Sequence, residues 1–479
     1  MQLDLFREII VDNFAGGGGA STGIEMATGL SVDIAINHDP AAIAMHKANH
    51  PDTEHYCEDV WDVDPKKVVR GRKVGLCWLS PDCTHHSKAR GGKPRKKNIR
   101  GLAWIAVRWA IAVKPRVIIL ENVEEFKEWG PLDDSGMPIK DAKGRTFYSF
   151  VDSLKSLGYQ VEWRELTACD YGAPTKRKRL FMIARCDGRP IVWAKPTHGD
   201  PKSKEVLTGK LLPWRTTAEI IDWSLPCPSI FERKRPLAEN TMRRIARGMQ
   251  KFVINNPKPF IVRIGHTGFG GDRLQYEIDK PLTTITTKAE HCLVTPFIST
   301  YYTETTENGV RGQNVQEPLH TVSTANRFSL VTAFIAKHYG GGYTGAGTGM
   351  TEPLSTVTTV DHNALVMAFL TKYYGSDIGQ ALDDPIHTIT TKDRFGLVKV
   401  KGQNHQIVDI GMRMLQPHEL FPAQGFPERY IIDRDYEGNK YTKTAQIARC
   451  GNAVPPPFAD ALVRANCPEL CYRSAAIAN

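Results

Sequence analysis

Four consecutive glycines, Gly16 to Gly19, constrain the fold of this chain more than any other feature of its sequence. They follow an apolar segment typical of a strand, Glu8 to Asp12, and precede a helical segment, Thr22 to Thr28. Glycines at a first strand-to-helix turn let a ligand approach the helix N-terminus closely. The segment lacks the Lys-Ser/Thr ending of a phosphate-binding loop, which argues against a nucleoside triphosphate. The turn fits NAD, FAD or S-adenosylmethionine equally well.

Short apolar strands and helices alternate through residues 1–190. Further strands are predicted at Val32 to Ile36, Gly75 to Leu79 and Arg116 to Leu120, with a helix from Leu102 to Val113 between the last two. Such alternation predicts parallel βαβ units. We therefore expect an α/β fold built on a parallel sheet.

A fourfold repeat dominates the middle of the chain. A seven-residue pattern of Pro, an aliphatic residue and Thr-rich positions begins at Pro281, Pro318, Pro353 and Pro385, at intervals of 37, 35 and 32 residues. Each copy predicts a strand, a turn and a second strand that carries a Leu-Val pair. The repeats are either a structural β array or a surface that reads a ligand, and the sequence leaves both open.

The α/β character returns after Arg413. The sequence therefore predicts a discontinuous body at 1–190 and 406–479, with a β-rich domain inserted at 191–405.

Positive charge is concentrated in one segment. The chain has 62 Lys and Arg against 52 Asp and Glu, a formal charge of +10. Seven of these cations lie in thirteen residues that begin five positions after Cys83, with two glycines and a proline that predict a loop. The segment is either a solvated loop or one that closes over a polyanion. Its cations are Lys88, Arg90, Lys93, Arg95, Lys96, Lys97 and Arg100.

The composition also limits the cellular compartment in which the protein is expected. The longest aliphatic run, Val117 to Leu120, is too short for a membrane helix. The first residues run directly into a strand pattern, so no signal peptide is expected. Ten cysteines are too few for a disulfide scaffold of this length. We expect free thiols in a reducing cytoplasm.

Cys83 differs from the other cysteines. It follows a strand at Leu79, where active sites of α/β proteins gather, and lies beside the basic segment. Nearby positive charge lowers a thiol's pKa and favours the nucleophilic thiolate. A zinc site built from Cys83, His85 and His86 is the alternative, but no second Cys/His cluster has the spacing to complete it.

Several other polar residues follow predicted strands. Glu121 ends an apolar strand, and Arg177 and Arg179 lie in a basic turn suited to an anionic or carbonyl-rich substrate. Asp39 is placed to hold ribose hydroxyl groups or to cap the next helix. Asp59 is placed to accept from an adenine amino group.

Six segments in this order resemble the cytosine-C5 DNA methyltransferase family of bacteria and phages. They are Phe14 to Gly19, Pro81 to Cys83, Glu121 to Val123, Arg177 to Arg179, Arg413 to Pro427 and Gly451 to Pro456. The resemblance spans both ends of the chain. It implies a Rossmann-like class I methyltransferase domain with a mixed, mostly parallel sheet and an inserted, β-rich target-recognition domain. It also implies the cofactor S-adenosylmethionine and a double-stranded DNA substrate.

The resemblance also implies roles for individual residues. Cys83 would attack C6 of a cytosine flipped out of the duplex, Glu121 would bind N3 and the exocyclic amine, Arg179 would hold O2, and Arg177 would support the site. The basic segment would contact phosphates. The cofactor pocket would comprise Phe14, Ala15, Gly16, Gly18, Gly19, Asp39, Asp59, Val60, Pro81, Asn452 and Val454.

One position departs from the family pattern. Asp82 stands between Pro81 and Cys83, where the family has proline directly before the nucleophile, and an acid beside a thiol opposes its ionisation. The alternatives are an RNA cytosine-C5 methyltransferase and an inactive DNA-binding relative. A monomer on DNA is expected, and a cognate restriction endonuclease is left open.

Overall fold

The computed structural model describes residues 7–82, 101–220, Arg413 and 415–471, a few positions between 222 and 236, and the backbone of strands between 260 and 412. Cys83 and the basic segment from Lys88 to Arg100 lie outside these residues.

Strands and helices alternate in the first half of the chain, and strands dominate the middle. The α-helices are α1 Gly19–Thr28, α2 Pro40–Asn49, α3 Pro65–Val69, α4 Ile105–Val113, α5 Arg145–Ser156, α6 Lys204–Leu207, α7 Pro417–Ala423, α8 Lys443–Asn452 and α9 Pro456–Asn466. The strands are β1 Ile9–Asn13, β2 Ile34–Ile36, β3 Glu54–Tyr56, β4 Val74–Leu79, β5 Val117–Asn122, β6 Gln160–Thr167, β7 Thr175–Lys176, β8 Lys178–Arg185, β9 His198–Gly199, β10 Leu212–Pro213, β11 Phe260–Arg263, β12 Gln275–Glu277, β13 Leu282–Thr283, β14 His291–Cys292, β15 Phe297–Thr300, β16 Gly312–Gln313, β17 Phe328–Lys337, β18 Asn363–Lys372, β19 Leu397–Val400 and β20 Gln403–Arg413.

A seven-stranded sheet in the order β3-β2-β1-β4-β5-β8-β6 organises the first part of the chain. Strands β1 to β5 pair in parallel, and β8 runs antiparallel to both β5 and β6. The predicted α/β class with a mixed, mostly parallel sheet is confirmed.

Both faces of this sheet are buried. Ile9 and Val11 of β1 belong to one apolar cluster, whereas Ile10 belongs to the cluster on the other face. Because side chains of a strand alternate between faces, a strand covered on both sides is apolar throughout. This explains the continuous apolar runs of β1, β4 and β5. The sheet is therefore the middle layer of three.

Several elements differ from their predicted bounds. Helix α1 begins at Gly19, earlier than the predicted Thr22, because Gly18 takes a left-handed conformation at its N-cap, with φ of 90°. Strand β5 extends beyond Leu120 to Asn122, because Glu121 and Asn122 pair with Phe181 and Leu180 of β8. Local polarity did not indicate this pairing.

The chain divides into two compact units. Unit 1 comprises Met1–Ala173, Arg177–Thr197 and Gln424–Asn479, and unit 2 comprises Pro174–Lys176 and His198–Ala423. The assignment of 1–190 and 406–479 to a catalytic domain stays a prediction. So does the assignment of 191–405 to a target-recognition domain.

Unit 2 contains a six-stranded antiparallel sheet in the order β16-β15-β17-β18-β20-β19. The Leu-Val pairs of the second, third and fourth repeats, Leu330-Val331, Leu365-Val366 and Leu397-Val398, lie in β17, β18 and β19. The pair of the first repeat, Leu293-Val294, lies outside the described residues. Three copies thus contribute a strand to one sheet.

Among the residues that the structure describes, no helix has the length and apolar character needed to cross a membrane.

Candidate active site

The ends of several strands of unit 1 meet at one edge of the sheet. Asn13 of β1 pairs with Leu79 of β4, which pairs with Leu120 of β5. Because these strands are parallel, the residues that follow them lie at the same edge. Strand β8 is antiparallel, so its first residues, rather than its last, reach this edge. The topology thereby brings four of the predicted site segments to one edge of the sheet.

Glu121 and Arg179 form a buried ion pair at this edge. The Nε atom of Arg179 lies 3.1 Å from Oε1 of Glu121. One Nη atom of the same guanidinium donates to the Lys178 carbonyl oxygen at 2.8 Å. The structure therefore brings together the two residues to which the resemblance gave contacts with a cytosine ring.

Asn122 connects the end of β5 to the segment that precedes Cys83. Its side-chain amide donates to the Pro81 carbonyl oxygen at 3.2 Å, and the residue is 1% exposed. Pro81 is buried and Asp82 is exposed. Sequence reasoning gave Asn122 no role, although it directly follows Glu121. The only signal in the sequence was that the amide side chain of Asn122 directly follows Glu121, a predicted site residue.

The glycine-rich turn has an unusual backbone. Phe14, Gly16 and Gly18 have φ values of 63°, 51° and 90°. Left-handed conformations cost little for glycine but are strained for phenylalanine. The Ala15 amide donates to the Ile36 carbonyl oxygen at 3.1 Å, which fixes the turn to the end of β2.

The side chains of Tyr430 and His50 lie next to this turn. The Tyr430 hydroxyl donates to the Gly17 carbonyl oxygen. Burial raises the pKa of Tyr430, so the hydroxyl keeps its proton. A Cβ atom at Gly18 would lie 2.5 Å from the Tyr430 hydroxyl and 3.0 Å from Nε2 of His50. Sequence reasoning missed both residues, because neither is close to the turn in sequence.

Asp39 and Asp59 follow β2 and β3 at the same edge, and both are exposed. Asp39 caps α2, with Oδ1 accepting from the Ala41 amide at 3.0 Å. Asp59 accepts from the Trp61 amide at 3.0 Å. Val60, which directly follows Asp59, is buried. The capping role left open for Asp39 is thus present, and contacts with a ribose or an adenine stay predictions.

The C-terminal segment of unit 1 packs against the predicted cofactor turn. Arg177 is 3% exposed and donates to the Gly451 carbonyl oxygen at 3.0 Å. Val454 is buried in the same apolar cluster as Ala15 and Ala20, whereas Asn452 is exposed. The structure therefore places Arg177, Val454 and the turn in one region of unit 1.

A metal centre finds no support in the part of the chain that the structure describes. No group of three or more His, Cys, Asp or Glu side chains there has a geometry that could hold a metal ion. Cys83, His85 and His86, the alternative zinc ligands, lie outside those residues.

A family model described as C-5 cytosine-specific DNA methylase matches residues 9–219. This segment belongs to that family. We call it the methylase segment; it contains Glu121, Arg177 and Arg179 as well as the glycine-rich turn. For this segment, which contains four of the six motifs, the predicted family is confirmed.

Relatives of the methylase segment include three type II methyltransferases. M.AgeI of Thalassovita gelatinovora is 30% identical over 203 residues, covering 41% of this chain and 44% of the relative. M.SacI of Streptomyces achromogenes is 27% identical, covering 44% and 57%. M.AquIA of Picosynechococcus sp. is 26% identical, covering 44% and 87%. The chain thus spans about half the length of the first two.

Proposed function

We propose that the protein is a DNA (cytosine-5-)-methyltransferase (EC 2.1.1.37) that methylates cytosine C5 within a specific duplex sequence. The buried pair of Glu121 and Arg179 carries this proposal, because it offers an acceptor and a cation side by side at the edge of the sheet. N3 of a cytosine can share a proton with a carboxyl group, and O2 accepts from a guanidinium. Membership of the methylase family supports the same substrate.

The residues at the glycine-rich turn fit S-adenosylmethionine. A Cβ atom built on Gly16 would meet nothing closer than the Phe14 carbonyl oxygen, at 3.7 Å, so the turn has open space beside it. The exposed carboxyl groups of Asp39 and Asp59 lie at the same edge and suit ribose hydroxyl and adenine amino groups. When bound, the cofactor supplies an electrophilic methyl group. Phe14 to Gly19, Val60, Pro81, Asn452 and Val454 would surround it.

Cys83 is the proposed nucleophile. Its thiolate would add to C6, which makes C5 nucleophilic enough to take the methyl group. Loss of the C5 proton and of the thiolate would then restore the aromatic ring. The cytosine must leave the stack for this attack. The bond from Asn122 to the Pro81 carbonyl oxygen would fix the segment that leads to Cys83.

Glu121 and Arg179 would act on the flipped base. Protonation or hydrogen bonding at N3 by Glu121 stabilises the electron density that the thiolate adds to the ring. Arg179, already bonded to Glu121, would hold O2 and keep the carboxyl group oriented. Arg177 would support the site through its bond to Gly451.

DNA binding would use the insert and the basic segment. We propose that 191–405 reads the target sequence and that the cations from Lys88 to Arg100 contact phosphates. The protein would act as a monomer on DNA in the cytoplasm of a bacterial cell or phage-infected host. A cognate endonuclease is an open part of this proposal.

The decisive experiment is transfer of labelled methyl groups to duplex DNA and, separately, to RNA. We expect label in DNA with the wild type and at least a ~1,000-fold loss with Cys83→Ser. Cys471→Ser is the matched control, because a serine there can still donate to the Cys467 carbonyl oxygen that the thiol contacts. Label in RNA alone, or undiminished label with Cys83→Ser, would contradict the proposal.

The role of the insert needs a separate test. Exchange of the loops between residues 299 and 380 with those of a relative should change which DNA sequence is methylated, since loops of repeats gather on one face. Sequencing of methylated sites in a random duplex library measures this. Unchanged specificity would make the repeats purely structural.

A further inference from the structure

A chain of four hydrogen-bonded side chains runs from the strand below the glycine-rich turn toward solvent. Ser21 Oγ lies 2.7 Å from Oδ2 of Asp12 and 2.9 Å from Nε2 of His46. Nδ1 of His46 lies 2.8 Å from Nε2 of His55. Asp12, Ser21 and His46 are fully buried, whereas His55 is half-buried. The four residues come from β1, α1, α2 and β3.

Each link of this chain holds one proton, which can belong to either partner. If Asp12 carries a proton on Oδ2, it donates to Ser21, Ser21 donates to Nε2 of His46, and Nδ1 of His46 donates to Nε2 of His55. Nδ1 of His55 then carries the last proton and is the ring nitrogen left for the backbone hydrogen bond with Thr53. If Asp12 is ionised, all three bonds reverse. Both arrangements keep the three links between the four side chains satisfied, and in the second one Nδ1 of His55 has given up the proton that it donated to the Thr53 backbone.

Burial keeps the Asp12 carboxyl group close to the point at which it loses its proton. It raises the pKa of Asp12 to about 7, so both states of the carboxyl group are populated near neutral pH. Burial also holds the pKa of His46 well below its usual range and lowers that of His55 to about 4. Both rings are therefore neutral, as a relay through imidazole nitrogens requires.

Other ionisable groups lie close to the four hydrogen-bonded side chains. Cys77 of β4 lies next to Asp12 and Asn13, and burial raises its pKa, so it stays neutral. His50 stacks on His46 with ring centroids 4.6 Å apart, but its Nδ1 bonds Glu25. Lys47 acts on His55, and its positive charge disfavours a second proton there. Of the four hydrogen-bonded residues, Asp12 is therefore the one whose charge changes near neutral pH.

We infer that Asp12, Ser21, His46 and His55 form a proton relay through which Asp12 releases a proton to solvent when a cationic cofactor binds at the glycine-rich turn. The inference rests on the proposed function, since S-adenosylmethionine carries a sulfonium charge and that charge favours an ionised carboxyl group nearby. Asp12 passes its proton to Ser21, Ser21 passes its own to His46, and His46 passes its Nδ1 proton to His55. His55 gives its Nδ1 proton to water or a buffer base. One proton leaves Asp12 and one reaches the solvent.

Calorimetry of cofactor binding at pH 7, in two buffers of different protonation enthalpy, counts the released protons. We expect S-adenosylmethionine to release about half a proton, because a group with a pKa near 7 is half protonated there. S-adenosylhomocysteine lacks the sulfonium charge and should release less. Asp12→Asn should abolish the release. Equal release with Asp12→Asn, or with the two ligands, would overturn the inference.

The path is tested by stopped-flow mixing with a pH indicator. Ser21→Ala and His46→Phe should slow proton release at least tenfold, while Ile43→Val, a buried control on the same helix as His46, should not. Release at the wild-type rate in both relay variants would show that the proton leaves by another route. Failure of the wild type to bind either ligand would instead contradict the proposed cofactor. A carbon-13 titration of the Asp12 carboxyl group, expected to have its midpoint near 7, tests the relay's source without any ligand.

Discussion

Arg179 and Glu121 compensate each other's charge in the core of the candidate active site, with 11% and 9% of their side chains exposed. Under the proposed function, both charges would contact a neutral heterocycle. Removal of one partner leaves the other buried without compensation, which costs more than the pair itself contributes. The pair is therefore sensitive to substitution on either side.

Arg179→Ala should slow methyl transfer at least ~100-fold while cofactor affinity stays within about twofold, since the proposed cofactor residues all lie outside β8. Single-turnover transfer and calorimetry measure the two quantities. A double-mutant cycle with Glu121→Gln should show strong non-additivity, because the two groups act as one unit. Loss of cofactor binding with Arg179→Ala would mean that the basic turn is misassigned.

Asn122→Ala should reduce methyl transfer and also weaken cofactor binding, because it releases the Pro81 carbonyl oxygen, which lies before the proposed nucleophile and beside the proposed cofactor pocket. Asn466→Ala is the matched control: Asn466 is also buried and also bonds a backbone, at Val192, away from the candidate site. Each substitution should cost about 1–3 kcal/mol of stability. Equal transfer rates in the two variants would assign Asn122 a structural role only.

Gly18→Ala should destabilise unit 1 and weaken cofactor binding more than tenfold. A Cβ atom there would clash with Tyr430 and His50 at a φ of +90°. Gly158 has φ of +89° with nothing within 4 Å of its Cβ position, so Gly158→Ala carries the backbone strain of about 1 kcal/mol alone. Thermal unfolding and ligand titration of both variants separate the two effects. Similar behaviour of the two would contradict the contact with Tyr430.

Asp12 should make folding less favourable as the pH rises from about 4 to about 7. The carboxyl group in the unfolded chain loses its proton near the ordinary aspartate pKa of 3.8, whereas the folded one keeps it until about 7. The folded state therefore binds more protons in this window, and its stability falls as pH increases. The effect is at most on the order of 4 kcal/mol.

Asp12→Asn should remove this dependence. Its Tm relative to wild type should rise steadily between pH 5 and pH 7 and then level off. His46 and His55 act in the opposite direction below pH 6.5, because they are neutral when folded and protonated when unfolded. Their contribution is present in both proteins and cancels in the comparison. A constant difference in Tm across the range would refute the assignment to Asp12.

Local patterns predicted the sheet, the glycine-rich turn and the order of the site segments. Apolar runs and glycines report on strands and turns directly. Resemblance to a family assigned Glu121 and Arg179 to the same base, and these roles stay predictions. The ion pair between the two residues was not predicted and is seen only in the structure.

Contacts between distant parts of the chain could not be predicted. Tyr430 bonds a carbonyl oxygen 413 positions earlier, and nothing in the sequence around either residue indicates the other. Ser21 and His46 have ordinary helical surroundings, and only packing of α1 and α2 on β1 makes them partners of Asp12. Single-sequence patterns report local periodicity, whereas buried polar networks arise from tertiary packing.

Three hydrogen bonds have a consequence for biosynthesis: Tyr430 donates to Gly17, Asn49 donates to Ile431 and Arg177 donates to Gly451. The ribosome synthesises the glycine-rich turn early. Tyr430, Ile431 and Gly451 follow only after Ala423, the last residue of unit 2. A nascent or truncated chain that ends before Gln424 should therefore have a partly formed sheet but no finished cofactor turn. Competence to bind a ligand would arise only once these late supports have emerged, which couples the order of synthesis to the onset of activity.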